Sequence, residues 1–205
     1  MHIEMKPKMP ADLQRCVDFH GHMCGGLAMG YRASKAAMEW LREHRALDEE
    51  LVAIVETDAC GADAVQVLTG CTFGKGNFIF RDYGKMAFTF FSRNTGQGVR
   101  VASRPKKGGG LSEEQKTLFE KRSNNTATPE DLERLDSLGK TRAMDILNAP
   151  LEQLFTLKQV SGNLPSKARI EPSQLCDQCG EPVMATRLEK VGGRHICRGC
   201  LESGN

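Results

Sequence analysis

The sequence has no uninterrupted apolar run near the ~18 residues that a membrane span needs, so no spanning helix is expected. Its opening residues, Met1 to Pro10, are polar and rich in Met and Pro, with no apolar signal core. Export is therefore not indicated, and a cytoplasmic location is expected. Charge of one sign is also lacking. The 28 Lys and Arg against 26 Asp and Glu leave a net charge of +2, too small for a general nucleic-acid binder. No internal repeat is visible, and 40% hydrophobic with 26% charged residues is close to the globular average, which excludes wholesale disorder and fibrous architectures. The length, 205 residues, suits one domain with a small appendage. A main domain of about 150 residues buries enough surface to fold without covalent staples.

Cysteine, by contrast, is plentiful. Cys16, Cys24, Cys60 and Cys71 lie in the first 71 residues, and Cys176, Cys179, Cys197 and Cys200 in the last 30. Without a secretion signal, this usage points to metal sites rather than disulfides.

Periodicity and punctuation order the chain. Pro10 and Asp12 start a helix with Leu13, Cys16, Val17 and His20 on one face, ending at Gly21. A second helix, from about Cys24 to His44, is rich in small residues: Gly25, Gly26, Ala28, Gly30, Ala33 and Ser34. Interior glycine costs about 1 kcal/mol, so another backbone should approach this face closely. Leu51 to Glu56 reads as a buried strand, and Ala62 to Thr69 as a helix stopped by Gly70. Asn77–Arg81 and Met86–Arg93 suggest a hairpin turned at Asp82-Tyr83-Gly84, with Val99–Ser103 as a further strand. Arg104–Gly110 is a basic glycine-rich loop. Thr128-Pro129-Glu130-Asp131 starts another helix, stopped at Asn148-Ala149-Pro150, and Phe155–Val160 is a last strand. This order points to an α+β fold, a core of helices packed on a mainly antiparallel sheet. The domains expected are a core over 1–160, a linker over 161–173 and a cysteine module over 174–205.

Cys176-x2-Cys179 and Cys197-x2-Cys200, seventeen residues apart, have the spacing of a structural four-cysteine zinc site. Thiolates also suit iron, but this segment lacks the aromatic core expected around a redox iron. Four protein ligands leave no open position, so the role is structural, and the metal supplies the folding energy that some 30 residues cannot. Arg187, Lys190, Arg194 and Arg198 are nearly balanced by Asp177, Glu181 and Glu189, which favours docking over nucleic-acid binding. His195 reads as a surface residue.

The first cysteine group is less regular. Phe19-His20-Gly21-His22-Met23-Cys24 puts two imidazoles and a thiol within five residues. Cys60 follows the Leu51–Glu56 strand and precedes the next helix, where a helix start favours thiolate. Convergence of His20, His22, Cys24 and Cys60 would make an open N/S site for zinc or iron; the alternative is that each is a packed core residue. Cys71 is open to either reading, and Cys16 fits the core. Asp58 and Asp63 flank Cys60 as candidates for a general base or for orienting a ligand. Gly70-Cys71-Thr72-Phe73-Gly74-Lys75-Gly76-Asn77 fails the P-loop count but leaves a turn whose N–H groups and Lys75 can hold an anion.

Phe19-His20-Gly21-His22-Met23-Cys24 with Gly26-Leu27-Ala28-Met29-Gly30-Tyr31-Arg32-Ala33 resembles the opening motif of the family named for the E component of formylmethanofuran dehydrogenase. Asp58-Ala59-Cys60, Asp63-Ala64-Val65-Gln66, the Thr69–Asn77 stretch and Asp82-Tyr83-Gly84-Lys85 are similar to its second block. The resemblance covers roughly residues 12 to 160. It implies an α+β core that dimerises and a cleft lined by the His and Cys residues, and some members carry a C-terminal treble-clef zinc finger. The name derives from a molybdenum or tungsten complex that fixes carbon dioxide in methanogens, but members occur without that pathway. Gly25 stands where the family motif usually has proline.

The expectation is a metal-binding protein of C1 or redox metabolism. Candidate core ligands are His20, His22, Cys24, Cys60 and Cys71; candidate catalytic groups are Cys24, Cys60, Asp58 and Lys75; Lys75 and Arg81 would position an anion. Zinc is expected in the finger, and zinc or iron in the core. Expected partners are a second copy and a larger oxidoreductase complex, with no membrane. Whether the chain is an enzyme is left open. Alternatives are a non-catalytic subunit or cofactor-handling scaffold docking through the finger, and a nucleic-acid-binding regulator.

Overall fold

The computed structural model describes residues 9–105, 111–162, 164–168 and 171–203. They form two compact units, Met1–Lys167 and Ala168–Asn205. Most of the opening Met/Pro-rich segment and the glycines of the basic loop lie outside the described residues.

The first unit is α+β. Helix α1 (Ala11–His20) ends at Gly21, whose φ of 91° is left-handed and whose N–H donates to the Val17 carbonyl. Helix α2 (Gly25–Leu41) follows at once, capped by Cys24. Strand β1 (Leu51–Val55), helix α3 (Gly61–Thr69) and strands β2 (Phe78–Phe80), β3 (Ala87–Ser92) and β4 (Gly98–Ser103) come next. Helices α4 (Glu113–Ser123), α5 (Pro129–Asn148) and α6 (Leu151–Leu154) lead into β5 (Phe155–Val160).

The strands form one sheet in the order β2-β1-β3-β4-β5. Only β1 and β2 pair in parallel; the other pairings are antiparallel. The expected hairpin of 77–81 with 86–93 is therefore corrected: β1 lies between β2 and β3. All five β1 residues are buried, so this strand needs a neighbour on each edge. Residues 81–86 instead pass its end, where Arg81 N–H donates to Val55 and Lys85 N–H to Glu56. Beyond that end, Glu56 receives both Nε and Nη2 of Arg100 at 2.7 and 2.8 Å.

Leu51, Ala53, Val55, Phe88, Phe90, Val99 and Val101 join Leu27, Ala28, Val65 and Leu68 in the main core. Full burial of each large side chain contributes ~1.5–3 kcal/mol. The small residues of α2 have the expected reason. A Cβ on Gly30 would sit 2.2 Å from the Gly61 carbonyl oxygen, so α2 and α3 touch backbone to backbone. Val52, Ile54 and Phe91 form a smaller cluster, with Leu164 packed against it. Arg93 donates to the Pro165 carbonyl at 2.7 Å, which ties this part of 161–173 to the first unit.

Helix α5 starts as its sequence indicates, with a reciprocal Thr128–Asp131 capping box and Pro129 in the first turn. Helix α4 has an equivalent box, Ser112 with Gln115, but only Leu118 is buried, so it carries almost no apolar stripe to read.

The second unit contains β6 (Ser173–Leu175) paired with β7 (Pro182–Met184), and β8 (Leu188–Val191) paired with β9 (Arg194–Cys197). Gly192 and Gly193, both at positive φ, make the two-residue turn of the second pair. Helix α7 (Arg198–Glu202) follows. Buried apolar residues described in this unit are Cys176 and Ile196, too few for an independent core. Among the described residues no helix is long and apolar enough to cross a membrane.

Candidate metal centres

The core cluster is built where α1 stops and α2 starts. Gly21 turns the chain, and extended Cys24 (φ −143°, ψ 168°) caps α2, its Sγ accepting from Leu27 N–H at 3.4 Å. His20 is the last residue of α1. Its Nδ1 donates to Asp63 Oδ2 at 2.7 Å, which leaves the Nε2 lone pair free. That Nε2 lies 3.9 Å from Cys24 Sγ. The His22 ring centres 4.5 Å from the His20 ring. One donor atom each from His20, His22 and Cys24 falls within 4.8 Å of the others.

Cys60, at the start of α3, falls outside this 4.8 Å group but neighbours Cys24. A Cβ on Gly26 would lie 3.6 Å from Cys60 Sγ and 3.9 Å from Cys24 Sγ, so the bare Gly26 leaves room for both thiols. The helix start does not lower the Cys60 thiol. Burial first, and then the neighbouring Cys24, push it up. Gly25 is covered from α5: a Cβ there would lie 3.2 Å from Arg142 Cδ.

Other candidates lie elsewhere. Cys71 follows the far end of α3, fully buried in the core, where burial pushes its thiol up to about 11. Cys16 is likewise buried and pushed up to about 11. The Lys75 ammonium donates to the Leu47 and Asp48 carbonyls at 3.5 and 3.2 Å, not toward the cluster. The N–H groups of Thr72, Lys75 and Gly76 are used inside their own turn, so the anion-holding turn is not formed by them. Asp58 and Arg81 are exposed. Of the two carboxylates flanking Cys60, Asp63 is the one engaged, because one helical turn beyond Cys60 faces α1. Sequence reasoning missed Arg142, whose only trace is its place on a half-buried stripe of α5.

In the second unit Cys176 and Cys179 bracket the turn between β6 and β7, while Cys197 caps α7 and Cys200 lies within it. The Sγ–Sγ distances are 4.0 Å for Cys176–Cys200 and 3.9 Å for Cys179–Cys197. Sulfurs ~2.3 Å from a tetrahedral zinc lie ~3.8 Å apart, so this cluster can hold such an ion. Gly180 at φ 74° closes the turn through its N–H to the Cys176 carbonyl. Backbone N–H groups aimed at the sulfur hold the Cys176 thiol down at about 6. His195 stands outside the four sulfurs, its backbone N–H on Asp177 Oδ2.

The family described as "FmdE, Molybdenum formylmethanofuran dehydrogenase operon" matches residues 19–156. A curated relative from Archaeoglobus fulgidus, "Probable S-adenosyl-L-methionine-binding protein", is 36% identical over 190 residues, covering 89% of this chain and 51% of the relative. The chain thus spans about half the length of that relative. A solved structure, a tungsten formylmethanofuran dehydrogenase FmdE-like protein from Syntrophus aciditrophicus, superposes with a TM-score of 0.58 at 25% identity, covering 93% of this chain and 90% of that one.

Proposed function

The chain belongs to the FmdE family, and we propose that its core domain binds a catalytic or substrate-handling metal through Cys24, Cys60, His20 and His22. The observation that carries this is the Asp63–His20 pair, which aims Nε2 toward Cys24 Sγ. A carboxylate on the distal imidazole nitrogen is the usual support of a ligating histidine. Mixed N/S donors suit zinc or iron, and exposed His22 is the ligand most easily exchanged for substrate. A bound metal there would supply Lewis acidity or activate a water or thiol. Asp63 would hold the His20 proton on Nδ1, and Gly26 would keep the two thiols uncovered.

The second unit is read as a treble-clef zinc finger, supported by a cysteine turn, a hairpin and a short helix bearing the second cysteine pair. It would dock the core, as a homodimer, onto a larger oxidoreductase complex in the cytoplasm, serving C1 or redox metabolism. The family description, which refers to a dehydrogenase operon, supports that setting.

A metal inventory on protein purified without added metal tests the core site. Two equivalents per chain, falling to one in Cys24→Ser/Cys60→Ser, is the expected result. One equivalent in both proteins rejects the core site and leaves the finger alone.

A further inference from the structure

The helices bridged by His20 and Asp63 also wall a second feature. Phe19 and Arg15 stand one turn apart on α1, and Gln66 stands one turn beyond Asp63 on α3. With Arg45 and Phe73 they line an open surface groove of about 790 Å³. Gln66 and Phe73 are seven residues apart, the span from α3 into the turn that follows it.

Two properties single this groove out. Its rings are left in water: Phe19 is 59% exposed and Phe73 78%. The backbone that carries Phe73 is nevertheless closed by hydrogen bonds, from Gly76 N–H to the Phe73 carbonyl and from Thr72 N–H to Asn77 Oδ1. Asn77 is itself fully buried and donates to the Asp48 and Leu51 carbonyls. A hydrogen-bonded turn anchored on a buried amide therefore presents a bare ring, which lowers the ordering cost of a partner that covers it. The second property is charge. The lining has two guanidinium groups and no carboxylate. Arg45 spends only Nε, on the Val67 carbonyl, and the Arg15 guanidinium makes no hydrogen bond or ion pair to the described residues. Free guanidinium forks match phosphate.

We propose that this groove binds a nucleoside phosphate: the base against Phe73 and Phe19, the phosphates on Arg15 and Arg45, and the Gln66 amide within reach of a polar edge. Rings supply stacking and guanidinium groups supply the anion contact, so neither half of the ligand alone should suffice. The site is separate from the metal cluster, and its occupancy does not require the core metal.

Calorimetry on the full-length protein tests this with ADP, adenosine, pyrophosphate and S-adenosylmethionine, the last bearing the same base beside a cationic sulfur. ADP should bind at least about tenfold more tightly than each of the other three. Phe73→Ala and Arg15→Gln should each weaken ADP about tenfold or more, with metal content and melting temperature unchanged. No heat with ADP, S-adenosylmethionine binding as tightly as ADP, or ADP binding unchanged in both variants would overturn the proposal. So would a change of oligomeric state in Phe73→Ala, which would make the groove a contact between copies. Metal content reads the core site independently.

Discussion

Asp63 shows how much a residue outside the cluster can decide. Its oxygen lies 2.7 Å from His20 Nδ1, and the bond sets which imidazole nitrogen is left to ligate. Asp63→Asn keeps the shape but weakens the acceptor. Core metal affinity should fall about 10–100-fold, the usual effect of removing such support, while the finger keeps its metal. Competition with a chromophoric chelator measures this, and an unchanged affinity would show that Asp63 only packs. The thiols differ in a testable way too. Cys24 is half-buried at a helix start, whereas Cys16 and Cys71 are buried with their thiols pushed up to about 11. Brief alkylation of metal-stripped protein at neutral pH should mark Cys24 well before Cys16 or Cys71, and added zinc should protect it. Peptide mapping decides, and equal labelling would make the cluster packing. At Glu56, the hydrogen bond from Arg100 holds the carboxyl below its ordinary value of 4.5, against the opposing effect of burial. The folded value is depressed, so this stabilisation is present above pH 4.5 and is lost as pH falls through the lower folded value. Glu56→Gln should cost about 1–3 kcal/mol near neutral pH, by urea denaturation, and flatten the acid limb.

At the scale of elements, the contact of α2 with α3 governs the cluster. Gly30 admits no side chain, because the Gly61 carbonyl stands 2.2 Å from its Cβ position. Gly30→Ala should force the helices apart and cost about 1–3 kcal/mol despite alanine's better helix propensity. The same separation should draw Cys60 from Cys24, so core metal should be lost at a temperature where the fold persists. Paired thermal melts and metal analysis would check this. Normal stability in the variant would mean that the helices slide freely.

At the scale of the whole molecule, each unit has its own source of stability. The first has an extended apolar core and a smaller cluster against which Leu164 packs, and the second has four sulfurs spaced for one ion. Ending the chain after Lys167 should leave the helical signal and main melting transition of the core within a few degrees. Chelation should unfold the second unit first. A single cooperative loss of both, followed by circular dichroism during chelator titration, would defeat this.

Much of the protein was legible without coordinates, for local reasons. Helix ends follow from Gly21, Gly70 and the Thr128-Pro129 start; the small face of α2 follows from glycine's cost; and the four-cysteine cluster follows from spacing, since its ligands are near in sequence. The FmdE motifs also lie in contiguous blocks. Tertiary structure alone decided the rest, because those relations join distant segments. Nothing local announces that β1 separates β2 from β3; that follows from a strand buried on both faces seeking two partners. Nothing local chooses Asp63 over Asp58 for His20, 43 residues away, or sends Lys75 toward Leu47 and Asp48. Helical phase and the packing of α1 against α3 make the first choice, the meeting of the turn after α3 with the segment before β1 makes the second, and both exist only once the core has packed.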